Sequence, residues 1–382
     1  MINYEKKSSY NKKEMREAVR PARLWLLVSF FFTLVVAAVI LNPAANEIIN
    51  AGSEVQRIVR AGSGYQLSAS DQADIYPLGS FQVRLEQGGL LYLDGKGREQ
   101  AWHETNLLSA QLICAGDKYL AIGDEESSKF VIAQEAGVVF SDNVSSKAVG
   151  ADLAGDDLVI LDQGQDSKGE IRYYDLVRKE LMFTLEFQDS GYPLRVRIVP
   201  NGQAIDILVL NTDQVDPISL IQRYGFDGKL QGEVQLPGYY GSFVYDGKLV
   251  IAYSDTNIAQ IDVETGESAS FAAPEGFSHI LADRTGVTML GNVSDGDSSW
   301  FMRFNGNEST ESVTIPLLTA NPVVADGWLL LPAGNDLLLY DLTDLVLISI
   351  ENFDSPLRRI WLAEGGRALV ITADEVIPYL IN

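Results

Sequence analysis

Cysteine is almost missing from this chain. Cys114 is the only one in 382 residues, so an intramolecular disulfide and a cysteine-based metal cluster are both excluded. It lies in AQLICAGDKYL, an apolar strand pattern, and is expected to be a buried, inert thiol. Histidine is nearly as scarce. His103 and His279 stand far apart with no motif around either, whereas a zinc site or a Ser-His-Asp triad needs more company. Both are expected to pack or to sit on the surface. No glycine-rich loop follows a strand and opens a helix, which removes phosphate-cradling folds. Positive charge is also thin: the chain has a net charge of −23, and a field of that sign repels nucleic acid and anionic headgroups.

The charge is unevenly spread. Residues 1–23 hold seven Lys/Arg and three acids, and the rest of the chain holds 22 basic and 49 acidic residues, a net −27. Directly after the basic tail comes LWLLVSFFFTLVVAAVIL, residues 24–41, with no charge over 18 positions. A helix of that length spans about 27 Å, close to the hydrocarbon thickness of a bilayer. Trp25 sits where an indole rests among headgroups, and Arg20 and Arg23 flank the run. The positive-inside rule then places residues 1–23 in the cytoplasm and the rest outside, a single-pass topology in the plasma membrane. A cleaved signal peptide is the rival reading. It fits less well, because the basic region and the apolar run are both long and NPAANE is a poor cleavage site. No cysteine follows closely enough for lipoprotein processing. Residues 42–64 read as a connector: Pro43 ends the membrane helix, and Ile48, Ile49, Val55, Ile58 and Val59 recur at roughly helical spacing, which predicts a short amphipathic stalk ended by Gly62 and Gly64.

From residue 65 onward no long amphipathic helix pattern is present. Apolar runs of 4–8 residues alternate with Gly, Asp, Asn and Pro, which are strand and turn signals. One unit recurs: an apolar strand, an Asp or Asn at a turn, then a second strand. The turn residues are Asp94, Asp175, Asp227, Asp262, Asn305 and Asp341, with a degenerate copy from Phe130. They give six intervals over 247 residues, about 41 per repeat. Short Asp and Asn side chains suit such turns because they can hydrogen-bond the backbone two residues on. NPVVADGWLLLPAGNDLLLYDLTDLVLISIEN, residues 321–352, shows four strands in order. Four strands at a period near 40 predict a β-propeller. The expected fold is therefore all-β, with eight four-stranded blades near 73–104, 105–144, 145–188, 189–237, 238–274, 275–316, 317–353 and 354–382; seven is the alternative. The last blade holds only three strands, and YQLSAS, residues 65–70, is expected to supply the fourth and close the ring.

These repeats resemble the quinoprotein-type (PQQ-like) and WD40-like propellers. The whole plan, a basic tail, one membrane helix and an acidic propeller, resembles an uncharacterised group of membrane-anchored propellers of Gram-positive bacteria. The resemblance implies the fold more strongly than any activity, and it implies a binding platform of the kind represented by the envelope propeller of the outer-membrane assembly machinery. Quinone-dependent dehydrogenases of this fold use adjacent cysteines, a Ca²⁺ site and regular Trp docking motifs. This chain departs from them: it has one cysteine, and Trp102, Trp300, Trp328 and Trp361 fall at different strand positions. Those tryptophans are expected to pack between blades.

Two Asp-rich turns, DQGQDSKGE (162–170) and SDGDSSW (294–300), miss the spacing of a Ca²⁺ loop. Sequons at Asn143, Asn292 and Asn307 lie in loop-like stretches. No catalytic, cofactor-binding or metal-ligating residue is assigned, and no cofactor is expected. The leading functional expectation is a non-catalytic, membrane-anchored extracytoplasmic propeller that binds a protein or an envelope component. Its partners would be the bilayer through residues 24–41 and an envelope or membrane protein, with no nucleic acid. The competing class is a glycan-active hydrolase or lyase with its site at the channel mouth. A third is a domain that only packs on a multi-pass membrane partner.

Overall fold

The computed structural model describes residues 58–67, 74–188, 191–200, 203–213, 215–294, 296–306, 311–363 and 366–381. The basic tail over 1–23, the expected membrane helix over 24–41 and residues 42–57 of the connector lie outside them. Among the described residues no helix is long and apolar enough to cross a membrane.

Eight antiparallel sheets follow one another along the chain, at 75–104, 110–143, 148–186, 192–237, 242–272, 277–316, 323–352 and 357–381. Each falls inside one expected repeat. In the first seven, four strands pair in sequence order, as in blade 7: Val323–Ala325, Trp328–Ala333, Asp336–Asp341 and Val346–Asn352. The two middle strands of a blade are buried almost throughout and read as short apolar runs, such as LLLPA and DLLLY. The outer strand alternates apolar and polar, because one of its faces meets solvent.

A single blade cannot cover both of its faces. The core is accordingly divided into eight apolar clusters, and each one lies between two neighbouring blades. Leu330 and Leu339 of blade 7 pack on Ile360 and Val370 of blade 8. Ile75 of blade 1 packs on Leu369, Ile371 and Val376 of blade 8. Blade-to-blade packing thus runs from blade 1 round to blade 8 and back to blade 1, which gives eight blades rather than seven.

Closure of the ring differs in part from expectation. Tyr65 and Gln66 do pair with Val376 and Glu375 of the last strand, but Ile58, Val59 and Arg60 also pair, with Ile381, Leu380 and Tyr379. The end of the predicted stalk is therefore a strand. Ile58 is buried in the seam between blades 7 and 8, and Val59 points outward. The two adjacent apolar residues fit either a helical or an extended period, and the partner strand decides. Gly62 and Gly64 do not end a helix; they carry the chain across the gap between the two paired stretches. Gly64 has φ +65°, and a Cβ there would stand 2.5 Å from the carbonyl oxygen of Val376, so a larger residue would break the closure.

The expected turn chemistry is present. Asp94 accepts the backbone N–H groups of Lys96 and Arg98 at 2.9 and 3.0 Å, Asp175 those of Val177 and Arg178, Asp227 that of Lys229, Asp262 those of Glu264 and Thr265, and Asp341 that of Thr343. Asn305 lies two residues before the undescribed stretch 307–310. A second set of caps has no such sequence signature. At the far end of the second strand, Asp124 accepts from the N–H groups of Leu108, Ser109 and Glu126 and the hydroxyl of Ser127. Ser254 and Thr372 cap the same turn in blades 5 and 8.

Burial raises the pKa of the Asp124 carboxyl, but the hydrogen bonds from Ser127 and the backbone outweigh it and hold the pKa below its ordinary value. A depressed carboxylate adds stability that is complete above its unfolded pKa, about 3.9, and is lost as pH falls through the folded value. Asp124→Ala is expected to cost about 1.5–3 kcal/mol at pH 7, the range for hydrogen bonds to a charged group. The difference from wild type should shrink in denaturation curves recorded below about pH 4. A constant difference down to pH 2 would mean that the ionised form has no special role.

Candidate functional site: the channel mouth

The first strands of the blades line the central channel. At the end that carries the turns between first and second strands, the channel opens into a cavity of about 1500 Å³. Residues of seven blades line it, including Gly79, Ser80, Asp117, Val199, Lys248, Arg284 and Arg367 in or beside those turns. Aromatic walls come from Phe81, Tyr245, Trp361 and Tyr379.

The lining carries charges of both signs. Arg197, Arg223, Lys248, Arg284 and Arg367 face Asp117, Glu264 and Asp283. Arg284 pairs with Asp326, and three more of these groups are held by the fold. Arg223 donates to both oxygens of Asp206 at 2.8 Å, and Asp206, fully buried, also accepts from the hydroxyl of Tyr245 in the next blade at 3.1 Å. Burial and then the Asp206 charge push the pKa of Tyr245 far above its ordinary value, so it remains a neutral donor. Arg197 donates to the carbonyl of Phe243 at 3.0 Å and lies 3.8 Å from Asp152, whose carboxylate accepts the N–H of Ile198. These contacts tie blades 3, 4 and 5 together beside the channel. Asp283 is occupied by the N–H groups of Thr285 and Gly327.

Trp361 stands at the seam of blades 8 and 1. Its ring meets Tyr76 edge-on at 5.2 Å, and the Arg359 guanidinium lies over both rings while pairing with Asp74 at 2.8 Å. Burial leads the causes that raise the Tyr76 pKa to about 12. Trp300 and Trp328 also pack in seams, between blades 5 and 6 and blades 7 and 8. Trp102 does not: it is 48% exposed, and its ring covers Gly89 within its own blade.

His103 and His279 lie in blades 1 and 6. The His103 ring meets Tyr92 at 4.9 Å and covers Gly137. The His279 Nδ1 lies 3.0 Å from the Ser278 hydroxyl. In the 162–170 turn, the Asp162 carboxylate accepts backbone N–H groups from Ser145, Ser146, Lys147 and Gly164. Its oxygens are already taken by donors, the wrong arrangement for a cation. Among the described residues, no group of three or more His, Cys, Asp or Glu side chains is placed to hold a metal ion.

Cys114, in the first strand of blade 2, is partly buried. Burial first, and then the nearby Asp152 charge, push its pKa up to about 12. The native protein is expected to react with a thiol reagent at pH 8 at least about 100-fold more slowly than the denatured protein, since the thiolate is the nucleophile. Rapid stoichiometric labelling of the native state would contradict this placement.

The opposite end of the channel is different. Leu108, Val149, Tyr192, Val215, Tyr239 and Leu317 are exposed there, on the connectors between blades, at the starts of first strands and in a turn between second and third strands. The cations at the mouth and the apolar residues at the other end were both missed in the sequence. The available signal for the first was a basic residue at the first turn of three repeats, Lys248, Arg284 and Arg367 of blades 5, 6 and 8.

Comparison with solved structures agrees with this architecture. BamB from Moraxella catarrhalis superposes with a TM-score of 0.56 at 13% identity, over 85% of this chain and 100% of that one. A europium-containing methanol dehydrogenase gives 0.55 at 9% identity, over 85% and 94%. Apo AztD from Citrobacter koseri gives 0.51 at 11% identity, over 77% and 91%. At such identities the likeness concerns the fold alone. No curated protein matches by sequence. The sequence profile of one family matches residues 55–264, more than half of the chain, and the protein belongs to that family, the family of unknown function DUF5711.

Proposed function

We propose that this protein is a non-catalytic propeller, anchored in the plasma membrane through residues 24–41 with its propeller outside, that binds a protein partner of the membrane or envelope. The observation that carries the binding role is the exposed apolar set at one end of the ring. Leu108, Val149, Tyr192, Val215, Tyr239 and Leu317 are all more than 40% exposed, on connectors, strand starts and a turn at the end of the ring opposite the cavity. Apolar side chains exposed on one end of a rigid fold offer a surface for protein docking. The rigid ring presents these residues without further ordering of the chain, which lowers the entropic cost of association.

The test is lysine crosslinking of the intact protein in its native membrane, followed by mass spectrometry. Lys147 and Lys168 belong to the apolar end, and Lys118, Lys179 and Lys248 to the cavity end. Reproducible crosslinks from Lys147 and Lys168 to one partner are expected. A clean absence of partners, with the protein abundant and folded, would overturn the reading and direct attention to glycan substrates at the channel mouth.

A further inference from the structure

Each blade ends in an outer strand with one open edge among the described residues. An open edge offers unpaired backbone groups to an incoming strand, and proteins blunt such edges with charge or proline. The outer strand of blade 6 is short and ends in Pro316, that of blade 4 ends in Pro237, and that of blade 1 carries Glu99, His103 and Glu104. The outer strand of blade 7, Val346–Asn352, lacks this protection: its first five residues, VLISI, hold no charge and no proline. Val346, Leu347 and Ile350 are 51, 39 and 55% exposed.

The register gives the two faces of this strand different characters. Leu347 and Ile350 lie across from Tyr340 and Leu338, which are buried in the seam with blade 6. They continue that apolar face into solvent, next to a blade 6 whose outer strand, Val313–Pro316, has only four residues. Ser349 and Glu351 lie across from Leu339 and Leu337, which belong to the seam with blade 8. Glu351 acts there as a nearby charge on the Tyr379 phenol.

The surroundings are acidic, and the acids are not matched by bases. From Phe304 to Leu357 the chain holds eight acids and no Lys, Arg or His. Asp326 is matched by Arg284, Asp336 holds the Asn352 amide and Asp341 caps its turn. Asp344, Glu351 and Asp354 make no hydrogen bond or ion pair among the described residues. Arg60 of the closing strand also acts on Tyr379, but it is paired with Glu375 at 3.2 Å.

We propose that the open edge of blade 7 takes up an extended segment of another protein as a fifth strand, and that this segment alternates apolar and basic residues. Backbone pairing supplies the affinity, and alternate side chains supply the selectivity. Successive side chains point to opposite faces, so the apolar ones lie beside Leu347 and Ile350 and the basic ones beside Glu351, with Asp344 and Asp354 at the two ends of the strand. A second copy of this chain is a poor occupant, because it brings its own unmatched acids to the same edge. The outer strand of blade 3, Glu180–Glu186, also exposes Leu181 and Met182, but there Arg178 and Lys179 offset the acids at its start. The blade 7 edge lies on the circumference of the ring, and its binding stands apart from a partner at the apolar end.

The full-length protein in neutral detergent would be titrated with a rhodamine-labelled nonapeptide in which valine alternates with lysine, and with the same peptide N-methylated at its four central amides. Fluorescence anisotropy should show saturable binding of the first, at least about tenfold tighter than the second, which keeps the side chains but loses the backbone donors. Ile350→Lys places a charge on the edge and should weaken binding about tenfold or more. Met182→Lys makes the same change in net charge on blade 3 and should leave affinity within about twofold, because screening confines the effect to nearby charges. Should Ile350→Lys not melt cooperatively, Ile350→Thr carries the same expectation with a loss of about threefold. The proposal fails if the alternating peptide does not bind saturably, if the N-methylated peptide binds equally well, or if the two lysine variants weaken binding equally. The second result would mark attraction to acidic surface alone. None of these outcomes alters the crosslinks expected from Lys147 and Lys168, so the edge and the apolar end can fail separately.

Discussion

Ile58→Asp is expected to destabilise the propeller by about 4–5 kcal/mol, while Val59→Asp, one residue on, changes stability by less than about 1 kcal/mol. Ile58 is 2% exposed in the seam between blades 7 and 8, and Val59 is 37% exposed on the outer side of the same strand. The first change removes about 1.5–3 kcal/mol of apolar burial and places a carboxylate where no partner exists, which adds a penalty of several kcal/mol unless the group takes up a proton. The closing strand holds the last blade through backbone pairing of Ile58, Val59 and Arg60 with Ile381, Leu380 and Tyr379, so its loss should free blade 8 first. Hydrogen exchange at Leu369, Val370 and Ile371, in the strand next but one to it, is the sharper measurement: protection there should fall before it falls in blades 3 and 4. Equal and small effects of the two substitutions in urea denaturation would place residue 58 outside the ring.

Arg223→Ala is expected to cost about 3–5 kcal/mol, the range found when one member of a buried ion pair is removed. Asp206 would stay fully buried with only the Tyr245 hydroxyl against it. Removal of both charges, Asp206→Leu with Arg223→Met, should recover most of the loss, because apolar residues of similar size replace buried pairs with little penalty. The double-mutant cycle from urea denaturation separates the two contributions. A single-mutant effect below about 1 kcal/mol, the level of an exposed pair, would show that water reaches Asp206. The network also bears on the mouth, because Arg223 lines the cavity and Tyr245 joins blade 4 to blade 5 there.

The architecture was legible because it rests on local physics. Each repeat carries its own strands and its own turn, and Asp94, Asp175, Asp227, Asp262 and Asp341 hold the turns through backbone bonds two or three residues on. Such bonds depend on sequence neighbours only, so their spacing reads directly as a blade count. Ile58 shows where that reading stops. Its apolar neighbours satisfy a helical period, yet its strand exists because Ile381 lies across from it, and no local pattern records a partner more than 300 residues away. Trp102 was expected in a seam for the same reason that Trp300 was, but only the packing tells that its ring covers a glycine of its own sheet.

By itself, the sequence determined an all-β repeat with blade boundaries and turn caps, and it excluded disulfide and cysteine-cluster chemistry. The tertiary structure decided how the ring closes, that it has eight seams, and that isolated turn residues from blades 5, 6 and 8 meet at one cavity. The division has one physical cause. Hydrogen bonds within a hairpin are set by residues close in the chain, whereas the potential of a channel mouth and the composition of a seam are sums over residues that only folding brings together.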